Sequence, residues 1–142
     1  MTRGLRASQH LDFALDTSFL TGLWRQPRDG VEARWLLANS NASLGLAWVV
    51  KAEFLAGAVV AGHSLERVSL FLADYPVLWP TDATVLTYAR CYAALRKAKL
   101  AVGPNDLWVG VTALTHNVPL LTRNVKELSR IEGLQVIDYA KQ

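Results

Sequence analysis

Phe13-Ala14-Leu15-Asp16-Thr17-Ser18-Phe19-Leu20 decides how this chain is read. A short apolar run ends on an acid, and a pattern of helical period starts directly behind it. Phe13 to Leu15 is therefore expected to be a first strand closed by Asp16, with a helix from Thr17 to Trp24. The alternation continues outward from there. Pro27-Arg28-Asp29-Gly30 signals a turn, Val31 to Ala38 a second short helix, and Asn39-Ser40-Asn41 a loop. Ser43 to Val50, rich in Leu, Trp and Val, is expected to be a buried strand, followed by a helix from about Ala52 to Ala61. Ser64 can cap the next helix, to about Ala73, and Val77-Leu78-Trp79 is a third strand. Thr81 or Asp82 can cap a helix running to about Lys99.

Pro104 suits the first position of a further helix, where its missing N–H costs nothing. Leu107, Val111 and Leu114 give that helix one buried stripe, and Asn117-Val118-Pro119 ends it. Leu120-Leu121 is the fourth strand and Leu134 to Ile137 the fifth. Strands that alternate with helices predict an α/β fold: one domain, a mainly parallel central sheet of about five strands, and flanking helices joined by right-handed crossovers.

Length and composition agree with that reading. A chain of 142 residues suits a single domain. At this size roughly 68–70% of the unfolded surface is buried on folding, enough for one apolar core without disulfide staples. Hydrophobic residues make up 51% and charged residues 19%, as in a soluble globular protein. Cys91 is the only cysteine, so no internal disulfide can form, which fits a reducing compartment and a cytoplasmic location. Met1 to His10 is polar and basic, without the apolar stretch of a secretory signal, and is read as a flexible extension ahead of a domain over residues 11–142. The least polar region, Leu44 to Gly62, carries Lys51 and Glu53 near its middle. Each would cost about 2.5–3.5 kcal/mol at a bilayer centre, so this is a core segment holding an acid and no membrane span is expected. The formal charge of +3 favours a polyanionic partner only mildly.

Position along the elements singles out the chemistry. Asp16 closes the first strand, Glu53 stands at the start of the helix after the second, and Asn124 follows the fourth. In open parallel sheets, ligand sites gather outside the carboxyl ends of the strands, so these oxygens converge on one edge. Asp106, in the first turn of the Pro104 helix, joins them if that helix starts on the same edge. Crowded carboxylates repel unless a cation joins them, and oxygen donors without His or Cys favour Mg²⁺ or Mn²⁺ over zinc. The helix dipole is expected to help keep Asp106 ionised. Taken singly, each residue has a plainer role: Asp16 as a helix cap, Asp106 as a first-turn dipole partner, Asn124 as a turn residue. Glu53 is harder to explain away, because Ala52, Phe54, Leu55 and Ala56 around it are apolar.

At these residues the sequence resembles the PIN-domain family, and within it the VapC-type toxins. Leu15-Asp16-Thr17-Ser18-Phe19-Leu20 is similar to the family's opening motif, and Ala52-Glu53-Phe54-Leu55-Ala56-Gly57 to its second block. Gly103-Pro104-Asn105-Asp106-Leu107-Trp108 is similar to the third, and Leu121-Thr122-Arg123-Asn124-Val125-Lys126-Glu127-Leu128, with Ile131-Glu132-Gly133-Leu134 behind it, to the fourth. The resemblance covers nearly the whole chain after Phe13. It implies that Asp16, Glu53 and Asp106 form an acidic Mg²⁺ or Mn²⁺ site. Asn124 stands where some members carry a fourth Asp and many carry Asn; it offers a carbonyl oxygen but no charge, and Glu127 in the same loop can compensate. Thr17 and Thr122 are implied as hydroxyls behind the acids. The implied reaction is metal-dependent hydrolysis of RNA phosphodiesters, and the implied partners are an RNA substrate, a small cognate antitoxin and a second copy of the chain in a homodimer.

Other residues carry weaker signals. His10, His63 and His116 have no metal-ligand spacing. The five tryptophans are expected in the core or at interfaces, with Trp108, two residues from Asp106, the one to consider for RNA contact. Arg90, Arg96, Lys97 and Lys99 are read as a solvated helix end that complements the dipole. Arg123, Lys126 and Arg130, near the acids, are better placed for phosphate. An aspartyl phosphatase would need a second Asp where Ser18 stands, and a receiver domain would need paired acids near the first strand. A catalytically silent PIN fold acting only through partners is the remaining alternative.

Overall fold

In the computed structural model, which describes residues 10–141, five parallel strands lie in the order β3-β2-β1-β4-β5. They are β1 (Phe13–Leu15), β2 (Leu44–Ala47), β3 (Val77–Leu78), β4 (Leu120–Thr122) and β5 (Val136–Asp138). The first strand is the middle one of the five, and its Ala14 and Leu15 are wholly inaccessible. Leu15 pairs with Leu46 on one side and Leu121 on the other, and Leu121 pairs in turn with Ile137. This register aligns the carboxyl ends of β1 and β4, and so fixes where Asp16 and Thr122 meet. The α/β architecture and parallel sheet are as the sequence predicts. The expected extension over residues 1–10 lies outside the described residues except for His10, whose ring nitrogen is 3.6 Å from Asp12.

The helices are α1 (Thr17–Arg25), α2 (Val31–Ala38), α3 (Trp48–Val60), α4 (Leu65–Leu72), α5 (Asp82–Lys97), α6 (Pro104–Thr115) and α7 (Val125–Leu128). Their starts follow from local chemistry. Asp16 caps α1 through its side chain, Ser64 caps α4, and Thr81 caps α5 in a reciprocal capping box with Thr84. Pro104 opens α6 behind Gly103. Each such cap typically contributes about 0.5–2 kcal/mol. Among the described residues no helix is long and apolar enough to cross a membrane.

Several boundaries differ from expectation, each for a physical reason. The run expected to be a strand from Ser43 to Val50 is strand only to Ala47; α3 begins at Trp48, four residues early. Val49 and Val50 are buried in the helix as fully as they would be in a strand, and a continuous apolar run has no period by which to tell the two apart. Glu53 therefore lies in the second turn of α3 rather than at its start. Trp79 falls outside β3 and is 60% exposed, because Pro80 follows and a strand at the sheet edge has one neighbour only. The fourth strand extends to Thr122, the fifth is shifted to Val136–Asp138, and α5 ends at Lys97, with Lys99 in a left-handed conformation (φ 58°) just beyond. The segment after Asn124, expected to be loop, contains the one-turn helix α7.

Candidate active site

Asp16 is 7% exposed, yet both its oxygens are engaged. Oδ1 accepts from the Thr17 N–H at 2.8 Å, and Oδ2 accepts from the Thr122 hydroxyl at 2.6 Å. The plain role and the functional one coincide here: the capping carboxylate of α1 is also the acid at the end of the central strand. Burial pushes its pKa above the usual carboxylate value, and the two hydrogen bonds pull it partly back. Thr122 in turn accepts from the Asn124 N–H at 3.0 Å, so one hydroxyl orders both the acid and the following turn.

Glu53 reaches back to this point from α3. Its Oε1 accepts from the Thr17 hydroxyl at 2.9 Å and its Oε2 from the Asn105 side-chain amide at 3.2 Å. The sequence marks Asn105 only as a neighbour of Asp106. Its position at the open end of α6, in the turn that faces the acids, was the available signal. Asp106, at the third position of α6, is pushed up to about 6, first by burial and then by the charges of Asp16, Glu127 and Glu53. The help expected from the helix dipole does not cancel that rise, though a group at about 6 is still mostly ionised at neutral pH. A dipole effect is worth about 0.3–1 kcal/mol at an exposed terminus, and burial beside like charges outweighs it.

Asn124 donates through its side-chain amide to Asp106 Oδ2 at 3.4 Å and to Glu127 Oε2 at 3.3 Å. Glu127 also accepts from the Gly103 N–H at 2.8 Å, and that bond, with the one from Asn124, holds its pKa below the usual value. The backbone contact at Gly103 was not foreseen from sequence, since it depends on α7 bringing Glu127 under the entry to α6. The structure thus brings Asp16, Glu53, Asp106, Asn124 and Glu127 to one edge of the sheet.

Among the described residues no three His, Cys, Asp or Glu side chains are gathered tightly enough to grip a metal ion as they stand. In kind, however, the donors fit a hard divalent cation. All are oxygens, and the charges on Asp16, Glu53 and Glu127 all raise the pKa of Asp106. The Asn124 amide already performs part of a cation's work, placing donor hydrogens between Asp106 and Glu127.

The remaining expected contacts divide. Arg123 and Lys126 are exposed, in the segment that carries Asn124 and Glu127, and the Arg123 charge acts on Tyr139. Arg130 donates its guanidinium to the Ala101 carbonyl, and its charge helps to hold the Glu127 pKa down. Trp108 is packed rather than presented: Tyr88 stacks on it at 4.0 Å between ring centroids and Trp48 meets it edge-on at 5.7 Å, which leaves little open indole face for a base. A groove of about 180 Å³ runs between α1 and α3 from Thr17 and Glu53 past Trp24 to His63.

Comparison with known proteins places this geometry. The family model described as PIN domain matches residues 13–134. A Ribonuclease VapC1 from Haemophilus influenzae (strain R2866) is 30% identical over 132 residues, spanning 91% of this chain and 98% of the relative. A Ribonuclease VapC1 from Rickettsia felis is 45% identical over 58 residues, 41% of this chain and 43% of that protein. Among solved structures, a chain of VapBC-1 from nontypeable Haemophilus influenzae superposes with a TM-score of 0.79 at 26% identity, covering 91% of this chain and 98% of that one. One from DNA-bound VapBC of Salmonella typhimurium, at 24% identity and TM-score 0.76 over 92% of this chain and 99% of that one, shares the fold.

Proposed function

This chain belongs to the PIN-domain family, and on that premise we propose that it is a Mg²⁺- or Mn²⁺-dependent endoribonuclease, the toxin of a VapBC-like pair. The observation that carries the proposal is the convergence of Asp16, Glu53, Asp106 and Glu127 at one end of the sheet, linked through Thr17, Asn105, Thr122 and Asn124. Folding has brought four acids into mutual repulsion at a strand edge, an arrangement that calls for a cation.

Asp16, Glu53 and Asp106 would hold the ion, with Asn124 and Glu127 at its margin. When bound, a divalent cation supplies electrostatic stabilisation of the charge developing on phosphate and makes water more acidic. The chain's own residues do the positioning. Thr17 and Thr122 aim the oxygens of Asp16, while Thr17 and Asn105 aim those of Glu53. Arg123 and Lys126, exposed in the segment of Asn124 and Glu127, would neutralise backbone phosphates. No nucleophilic side chain is required. The family also supports a small antitoxin whose segment covers the acidic cleft, and a homodimer, as partners of this chain.

The test is cleavage of single-stranded RNA by the purified full chain with Mn²⁺. Asp106→Asn is expected to reduce the rate by on the order of 100-fold or more while leaving the fold, read by circular dichroism, intact. Undiminished cleavage by that variant refutes the assignment. Absence of cleavage by the wild-type chain favours the catalytically silent alternative.

A further inference from the structure

The C-terminal part of α5 carries a surface that the acids do not account for. Tyr92 is 50% exposed and lies nearly parallel to Tyr88, 18° between planes, with centroids 6.3 Å apart. Tyr88 in turn stacks on Trp108, so Tyr92 is the outermost ring of a rigid aromatic ladder rooted in the core. Beside it Leu95, Arg96, Leu100, Val102 and Leu107 complete a pocket of about 210 Å³. Val102 and Leu107 bracket Gly103–Asp106, the turn that bears Asn105 and Asp106. The pocket and the acids therefore lie on two sides of one turn. That turn is pinned by the Glu127 bond to Gly103 and the Arg130 bond to Ala101.

Among the described residues Arg96 is the one charged residue in the lining of the pocket, and further cations lie along the same helix end. Arg90, Arg96, Lys97 and Lys99 are all exposed, and among the described residues the one ion pair is His10 with Asp12, so none of the four is paired. No acid lines the pocket. A helix end that merely complements its dipole needs one or two cations in its last turn; it does not need an exposed aromatic ring and a cavity next to them.

We propose that this flank of α5 is a contact surface for the single-stranded RNA substrate, seating a nucleotide neighbouring the cleaved bond with its base on Tyr92 and its phosphate at Arg96. The inference rests on the ribonuclease reading and specifies how that substrate is held. Base–aromatic stacking beside a basic track is the physical signature of single-strand binding. A second copy of the chain fits less well, because a two-fold axis would set this basic stripe against itself.

Steady-state cleavage of a single-stranded RNA by the full chain with Mn²⁺ tests the proposal. Tyr92→Ala is expected to raise KM by about 5- to 150-fold with kcat within about twofold, and Tyr92→Phe to restore KM. Arg96→Gln is expected to raise KM and to lower the slope of log KM against log salt by about 0.7. Unchanged KM in both Tyr92→Ala and Arg96→Gln overturns the proposal while leaving the ribonuclease reading standing. So does a KM rise in Tyr92→Ala that light scattering ties to loss of a dimer. A wild-type chain that cleaves no RNA removes the reading itself and the proposal with it.

Discussion

Thr122 holds the most buried acid of the site at a fixed orientation, and its hydroxyl is itself inaccessible to water. Replacing it by Val leaves one oxygen of Asp16 buried without a donor, at a cost of about 1–3 kcal/mol. Urea unfolding of Thr122→Val should show a loss in that range, and cleavage should fall with it. The pH dependence belongs to this scale too. Asp106 carries a pKa of about 6 in the folded state against 3.8 for the unfolded group. Its contribution to stability is thus fully present below about 3.8 and is lost as pH rises through about 6. Asp16 is shifted in the same direction, and Glu127 in the opposite one. Because Asp106 is partly exposed, screening reduces the effect to on the order of 1 kcal/mol. Metal-free protein should therefore lose stability between about pH 4 and 6.5, and Asp106→Asn should flatten the profile and be more stable at neutral pH. Denaturation midpoints measured across that range in chelator decide it: a profile for Asp106→Asn as steep as the wild-type one contradicts the electrostatic account.

Helix α6 delivers Asn105 and Asp106 by its first turn and is held in place by its middle. Gly110 is buried where an added Cβ would run into Ile131, close to Leu134 and Leu128. Gly110→Ala is expected to overpack this contact and cost about 1–3 kcal/mol, read as a lowered denaturation midpoint. The caps at Asp16, Ser64 and Thr81 and the Pro104 start of α6 were legible in the sequence because a helix start depends on a few adjacent residues. The start of α3 was not, because Trp48-Val49-Val50 is apolar on every side and Ala47 offers no capping side chain. Nor was α7, whose four residues are too few to show a period; its existence is what carries Glu127 to Gly103.

For the whole molecule, alternation of strand and helix was enough to predict a parallel sheet, and strand-end positions were enough to gather Asp16, Glu53 and Asn124 on one edge, with Asp106 joining them only if its helix started there. The sheet order, the Asn105 bond to Glu53 and the Glu127 bond to Gly103 were out of reach, since the two bonds join segments 52 and 24 residues apart. The sense of those contacts is that the chain folds its acids together and leaves their repulsion only partly relieved by Asn124. A ligand that binds only the folded state stabilises it in proportion to the logarithm of its excess over Kd. Adding Mn²⁺ to metal-free protein should therefore raise its melting temperature, and more so in the wild type than in Asp106→Asn.

The most direct measurement is a titration of metal-free chain with Mn²⁺, following free ion by electron paramagnetic resonance, for the wild type and for Asp106→Asn side by side. Saturable binding by the wild type that is strongly weakened in the variant is the predicted result. Equal binding by both, or none by the wild type, would mean that these acids do not share an ion.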